Sequence, residues 1–448
     1  FFFKQKTAYE ISTRDWSSDV CSSDLVEDEY DGDRLLCWAG VFFAYRCGAW
    51  TEATEADIRA DVYAYIDRQH ISHFAATKAR VTNVLDALRS AVHLDSRAAP
   101  PCWRGDPGPV PAAELVPVAN GILHLPTLAL HAPTPAFFAL NTLPVAFVPD
   151  APPPVGWLEF LAQVWPDDPE SVAVLQELFG LLITNDTSFQ KAFLIVGPKR
   201  SGKGTIGRVL GALLGGANTA SPTLASLGTR FGLQGLLGKL VALMSDARLG
   251  SRADQQAVAE NVLRVTGEDA VEVDRKNLPP VTARLSARFV MLTNELPRLA
   301  DASGALASRF VVLRMDRSFY GREDLGLTQR LLAELPGILC WAVEGWRRLK
   351  ARGYFVPPRS SATALEDLAD LASPIGAFLR DRCVLAPDAC VGVDALFTAW
   401  RAWCMEEGIV HVGAKAHFAR DVHAAVAGLQ VTQPRTPTGR VRTFVGVG

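Results

Sequence analysis

Residues 194–205, Leu-Ile-Val-Gly-Pro-Lys-Arg-Ser-Gly-Lys-Gly-Thr, set an apolar triplet directly against Gly197 and then Gly202-Lys203. A buried strand that runs into a glycine-rich turn and out into a helix is the sequence form of a phosphate-binding loop. The glycines let backbone N–H groups turn inward around phosphates, Lys203 can reach the β and γ phosphates, and the following helix presents its positive end. Gly197, Pro198, Lys199, Arg200, Ser201, Gly202, Lys203, Gly204 and Thr205 are therefore the expected nucleotide-binding residues. A chance glycine-rich turn is the competing reading, and the order strand, loop, helix argues against it.

One position departs from the pattern. Gly204 stands where Ser or Thr normally follows the lysine, and the hydroxyl comes one place later, at Thr205. Thr205 is the expected magnesium ligand on the loop, but it is a weaker assignment than Lys203 to phosphate. The spacing Ile206, Val209, Leu210, Leu213, Leu214 predicts a helix that ends at Gly215-Gly216.

The chain of 448 residues is long enough for two or three domains with sizeable cores. A net charge of −3 is no global mark of a nucleic-acid binder, so any such surface must be local. No apolar stretch approaches the roughly 20 residues that span a bilayer, and no secretory signal is evident. Eight cysteines without a Cys-x-x-Cys pair suit reduced thiols, so the expected setting is a cytosol. His411, His417 and His423 recur every six residues, which does not put them on one helical face, and Cys383 and Cys390 lack a second pair; no structural metal is expected.

Residues 1–25 resemble translated sequencing-adapter sequence, in Lys4 to Ile11 and again in Asp15 to Leu25, and are expected to be an artefact outside the fold. Residues 26–155 are expected to be a mainly helical region, on Ile58, Val62, Ile66 and Val81, Val84, Leu85, Leu88, with a proline-rich connection of loops and short strands from Pro100 to Pro154. Residues 156–348 carry the loop together with strand candidates at Leu240 to Met244, Phe289 to Leu292 and Phe310 to Leu313. This alternation predicts an α/β fold with a parallel sheet and helices on both faces. A helix is predicted after Asp168, with Pro169 at its first position. Residues 349–372 are expected to be a linker, on Gly353, Pro357 and Pro358. Residues 373–448 read as three helices plus a hairpin turning at Pro437 to Gly439, a winged-helix-like DNA-binding domain. From Ile409 to Gly448, Lys415, Arg420, Arg435, Arg440 and Arg442 stand against Asp421 alone, a surplus that suits a phosphate backbone or a solvated basic tail.

A triphosphatase needs an acid at the end of a neighbouring strand, and Asp246 follows the apolar run 240–244 as metal ligand or base. The usual adjacent pair of carboxylates is missing, and an ordinary loop acid is the alternative. Asn294 ends the strand at 289–293, where an amide can bond the attacking water or the γ-phosphate; a strand-ending turn is the alternative. Arg309 precedes a strand, where it can serve the phosphates of a neighbouring subunit or stand as a solvated side chain.

In this order and spacing, these pieces resemble the superfamily 3 helicase domain in the C-terminal half of phage and plasmid primase-helicases. The resemblance includes Leu263-Arg-Val-Thr-Gly267-Glu-Asp269 and Val273-Asp-Arg275-Lys276, with Pro117 to Gly121, Phe147 to Ala151 and Phe179-Gly180 to Asp186 upstream. It implies a P-loop NTPase fold of the AAA+-like kind, ATP and Mg2+ as cofactors, and Lys203, Asp246, Asn294 and Arg309 as catalytic residues, with Thr205 and Asp246 on the metal. It also implies a hexameric ring around single-stranded DNA, gripped by Lys276 and Arg275, with Arg440 and Arg442 as further DNA contacts. The partners implied are replication proteins of a mobile element. No primase domain is identifiable, and Asp31-Gly-Asp33 lacks companion residues for one.

Three functions stay open on the sequence. The first is an ATP-dependent helicase or translocase moving along single-stranded DNA. The second is an ATP-dependent DNA-binding or origin-assembly switch with slow hydrolysis, favoured by the missing second carboxylate. A small-molecule kinase is the third, since Gly-Lys-Gly-Thr also occurs in nucleoside monophosphate kinases.

Overall fold

The computed structural model describes residues 18–68, 76–95, 97–105, 108–247, 254–297, 299, 301, 305–409, 412–426, 428–436 and 439–448. Most of the adapter-like leader, His411 and the hairpin tip at 437–438 lie outside the described residues. The chain divides into two compact units, 1–147 and 148–448.

The first unit begins with helix α1 (Ser18–Tyr30). It takes in residues 18–25 of the adapter-like leader, and Leu25, fully buried, belongs with Val26 and Tyr30 to the unit's core. A three-stranded meander follows, β1 (Leu35–Trp38), β2 (Val41–Arg46) and β3 (Ala49–Ala53), then α2 (Glu55–Arg68), α3 (Lys78–Ala91) and a short β4 (His93–Leu94) alongside β1. The helices fall where the 3.6-residue spacing predicts them, but the strands correct the mainly helical reading of 26–155. Two-residue turns at Ala39-Gly40 and Cys47-Gly48 decide it. All four residues have positive φ, the geometry whose twist matches paired strands. In the proline-rich segment β5 (Leu115–Val118), β6 (Gly121–His124) and β7 (Ala129–His131) form a small antiparallel sheet. Leu115, Ile122, Phe137 and Ala139 give it a core of its own, which the loop-like reading of that segment missed.

The second unit is a mixed α/β structure around one parallel sheet. It opens with α4 (Val155–Val164) and α5 (Pro169–Leu182). The Asp168 carboxylate accepts from the Ser171 N–H at 2.9 Å and so caps α5, with Pro169 in the first turn. Next come β8 (Ala192–Val196), α6 (Lys203–Leu214), β9 (Thr219–Ala220), β10 (Val241–Met244), α7 (Gln255–Thr266), a hairpin β11 (Val271–Arg275) and β12 (Leu278–Ala283), then β13 (Arg288–Thr293), α8 (Ala305–Arg309) and β14 (Phe310–Arg314). The sheet order is β9-β10-β13-β8-β14, all pairs parallel. Its three inner strands, β10, β13 and β8, are mostly apolar and buried at every position, as a helix-covered parallel sheet requires. The chain leaves β8 toward one edge through α6 and returns, through β10 and β13, to add β14 on the other side of β8. The carboxyl end of β8 is thus the point where connections diverge, the usual place for a crevice.

Helices α9 (Leu327–Ala333), α10 (Leu335–Arg352) and α11 (Ala362–Ala372) follow. The expected linker at 349–372 is therefore helical at both ends, and Ala364 and Leu368 of α11 belong to the same buried cluster as the sheet residues Leu194 and Val312. Gly353 and the two prolines mark only the bend between two packed helices. The last segment holds α12 (Pro374–Arg382), β15 (Cys390–Gly392), α13 (Val393–Glu406), α14 (Lys415–Ala425), β16 (Gln430–Thr432) and β17 (Thr443–Val445). Its strands pair antiparallel in the order β15-β17-β16, and the hairpin β16/β17 continues outward through Arg435 opposite Arg440. Strand β15 is the one element the sequence reading lacked there. Among the described residues no helix is long and apolar enough to cross a membrane.

Candidate nucleotide site

At the carboxyl end of β8 the chain turns sharply and re-enters as α6. Gly202 makes this possible: it caps α6 with φ of +101°, a conformation that favours glycine, and a Cβ there would come within 2.9 Å of the Phe160 ring. The loop is tied on both sides. The Gly197 N–H donates to the Thr293 carbonyl of β13 at 3.2 Å, and the Met315 N–H after β14 donates to Val196 at 2.8 Å. Beyond β14, Phe319 N–H donates to the Arg200 carbonyl at 2.9 Å and the Ser318 hydroxyl to the Lys199 carbonyl at 2.8 Å.

Lys203 is buried inside this loop. Its Nζ donates to the carbonyl oxygens of Gly197 and Pro198, each at 2.7 Å, and to the Ser201 hydroxyl at 3.1 Å. Burial pushes its pKa below that of a free lysine, and among the described residues no carboxylate pairs with it. An ammonium held by neutral oxygens at a helix N-terminus is poised to exchange them for an anion.

A cavity of about 490 Å³ opens over the loop. One wall is Lys199 to Thr205 with Arg208 of α6 and Asn294 beyond β13; the other is Phe160 and Gln163 of α4 with the segment from Phe319 to Thr328. Gly197 and Pro198 stand behind the lining and meet Lys203 through their carbonyls. The structure thus brings Lys203, Thr205 and Asn294 into one cavity. Asp246 stands exposed at the same end of the sheet, after β10, and the next residue, Ala247, donates its N–H to Leu292 of β13 at 3.3 Å. It is not among the residues lining the cavity. The expected magnesium ligands do not converge here. The Thr205 hydroxyl accepts from Arg208 Nη2 at 3.3 Å, and the two carboxylates of the lining, Glu323 and Asp324, are paired with Arg200 and Arg330.

Arg309 lies at the opposite end of the sheet. It precedes Phe310, which pairs with Ala192 at the start of β8, and its Nη1 donates to the Gln190 side chain. The length of β8 separates it from its own chain's loop, roughly 15 Å at the rise of a strand. Lys276 is exposed at the turn of the β11/β12 hairpin, where Asn277 has φ of +62°, and its backbone N–H donates to the Gln234 side chain at 3.0 Å. Arg275 beside it donates Nε to the Pro279 carbonyl at 2.9 Å. Arg442 lines a second groove, of about 600 Å³, with Lys415, Arg420 and His423 of α14, while Arg440 is exposed on the outer part of the hairpin.

Sequence reasoning missed Arg208, Phe160, Gln163 and the 319–328 segment. Arg208 falls on the polar face of a predicted helix and carries no motif, and the others reach the loop only through tertiary packing.

Residues 23–166 match a family model described as D5 N terminal like, and residues 195–309 match a family of unknown function, DUF5906. Among solved structures, the chain is similar to the A form apo structure of the NrS-1 C terminal region at 13% identity and a TM-score of 0.50, covering 95% of this chain and 99% of that one. Another apo structure of the NrS-1 C terminal region is similar at 12% identity and a TM-score of 0.51, with the same coverage. These likenesses show a shared fold.

Proposed function

We propose that the chain is an ATP-dependent DNA helicase or translocase of a phage, prophage or plasmid replication system, with a P-loop ATPase core and a winged-helix-like DNA-binding segment at 373–448. The observation that carries this reading is the Lys203 ammonium, held by neutral oxygens within the loop at the carboxyl end of β8, with Asn294 in the same cavity. The D5 N terminal like segment and the fold shared with the NrS-1 C terminal region support a replication protein of the primase-helicase kind.

On this reading ATP binds over the loop, Lys203 holds its phosphates and Asn294 orients water or senses the γ-phosphate. Arg309 cannot reach that cavity across the sheet, so on this reading it serves the site of an adjacent copy, and head-to-tail contacts of that kind build the proposed hexameric ring when their rotation closes. The exposed Lys276 turn grips single-stranded DNA with help from Arg275, and Arg440 and Arg442 contact DNA from the terminal hairpin. Asp246, which follows the strand paired with Asn294's own, is the proposed base; with Thr205 it is also the proposed magnesium pair, although their present disposition does not gather a ligand set, and no step above depends on one.

A second reading, an ATP-dependent DNA-binding or origin-assembly switch, is favoured by Asp246 lying outside the cavity lining. ATP turnover measured with and without single-stranded DNA separates the two. Turnover that rises with DNA supports the motor; slow turnover indifferent to DNA supports the switch.

A further inference from the structure

Gly204 stands where a phosphate loop ordinarily places a hydroxyl, and Arg208 lies four residues further along α6. Positions four apart share a helix face. The Arg208 guanidinium accordingly folds back over the first turn, with Nη2 donating to Thr205 Oγ1 at 3.3 Å and Nε donating across to the hydroxyl of Thr328, the second residue of α9, at 3.4 Å. A Cβ built on Gly204 would meet one neighbour only, Arg208 Nη1 at 3.4 Å. Backbone packing therefore does not require glycine at this position. The space that a side chain at 204 would enter is the space the guanidinium borders.

Arg208 is exposed and, among the described residues, makes no ion pair; its side-chain bonds go to two neutral hydroxyls near the long limit of hydrogen bonding. Such contacts exchange readily for the shorter, charge-assisted bonds that a guanidinium makes to phosphate. Five cationic side chains line the cavity against two carboxylates, and both carboxylates are taken by arginines. The lining is thus matched to a highly charged anion without a divalent ion to offset it.

We propose that Gly204 and Arg208 form one device, in which the guanidinium neutralises the nucleotide's outer phosphates at the place where a hydroxyl-held metal ordinarily does so. Binding of a nucleoside triphosphate then needs no divalent ion, and the magnesium proposed for Thr205 and Asp246 would serve hydrolysis rather than binding. This rests on the nucleotide-site reading above and adds to it which group carries the charge.

The test uses the full chain and a fluorescent ATP analogue, titrated in magnesium and again in EDTA. The parent should bind within about threefold of equally in the two buffers, whereas Arg208→Gln should bind about tenfold or more weakly in EDTA, the size of a lost charge-assisted contact. Arg208→Lys should recover part of that loss. Gly204→Ser, which crowds the guanidinium, should make binding more magnesium-dependent. A parent that loses tenfold or more in EDTA overturns the proposal and leaves the nucleotide site standing. Arg208→Gln with parental affinity in EDTA, and an unchanged thermal melt, overturns it equally. A parent that binds in neither buffer overturns both.

Discussion

Lys203 Nζ lies 2.7 Å from the carbonyl oxygen of Gly197, six residues earlier, so the amine closes the very loop to which it belongs. Without a carboxylate partner, its positive charge in this pocket is compensated only by dipoles, and burial lowers its pKa from 10.5. A lysine lowered in the folded state binds fewer protons there than in the unfolded chain between those two values. Unfolding free energy should therefore rise with pH from the lowered Lys203 value up to about 10.5. Urea denaturation across pH 8 to 11 checks this, and Lys203→Met should flatten the slope. An unchanged slope in the variant would remove the burial argument.

Arg309 and Lys203 sit at opposite ends of β8, which has a consequence for mixtures. Arg309→Ala and Lys203→Ala should each reduce ATP turnover, Arg309→Ala by about a thousandfold if it acts as a transition-state arginine. Mixed in equal amounts, the two inactive chains should recover measurable turnover, because some interfaces then join an intact loop to an intact arginine. Absence of any recovery, with mixed assemblies demonstrated, would speak against action between copies.

The Lys276 turn is exposed and its side chain is free to meet a phosphate. Lys276→Ala should weaken single-stranded DNA binding across all sequences and reduce the salt dependence by about one unit of slope. ATP binding should stay at the parental level. Fluorescence anisotropy at four salt concentrations measures both, and a parental salt slope would exclude the turn from the DNA interface.

Arg288 opens β13 as a buried charge, and burial pulls its guanidinium down to about 9. It donates to the carbonyls of Leu181 and Leu182 at 3.3 and 3.2 Å, and to that of Thr184, closing the end of α5 where helix carbonyls lack partners. Arg288→Met would take this partner from the Leu182 and Thr184 carbonyls in the core, while the Leu181 carbonyl keeps the Thr184 N–H and hydroxyl. The expected loss is about 3 kcal/mol of unfolding free energy, read from the denaturation midpoint at constant slope. A change under about 1 kcal/mol would show that water satisfies the carbonyls.

How much of this was legible in the sequence depended on the range of the interaction concerned. The runs ending at Val196, Met244, Leu292 and Leu313 stood out because strands buried on both faces are apolar almost throughout. Their order was not legible, since nothing local says that β13 lies between β8 and β10. In 35–53 the aromatic residues fit either period, and only the pairs Ala39-Gly40 and Cys47-Gly48 distinguished hairpins from helix. The loop at 197–205 was fully visible, but its opposing wall, from Phe160 to the 319–328 segment, was not. Arg208 in particular looked like any charged residue on a solvated helix face, and its contact with Thr205 exists only once the side chain folds back along α6.

The most direct measurement is ATP turnover of the full chain in the presence of single-stranded DNA, comparing the parent with Lys203→Ala. The account predicts DNA-stimulated turnover in the parent and its loss to background in the variant, with the thermal melt unchanged within a few degrees. Undiminished turnover in Lys203→Ala would contradict the assignment of this loop as the nucleotide site.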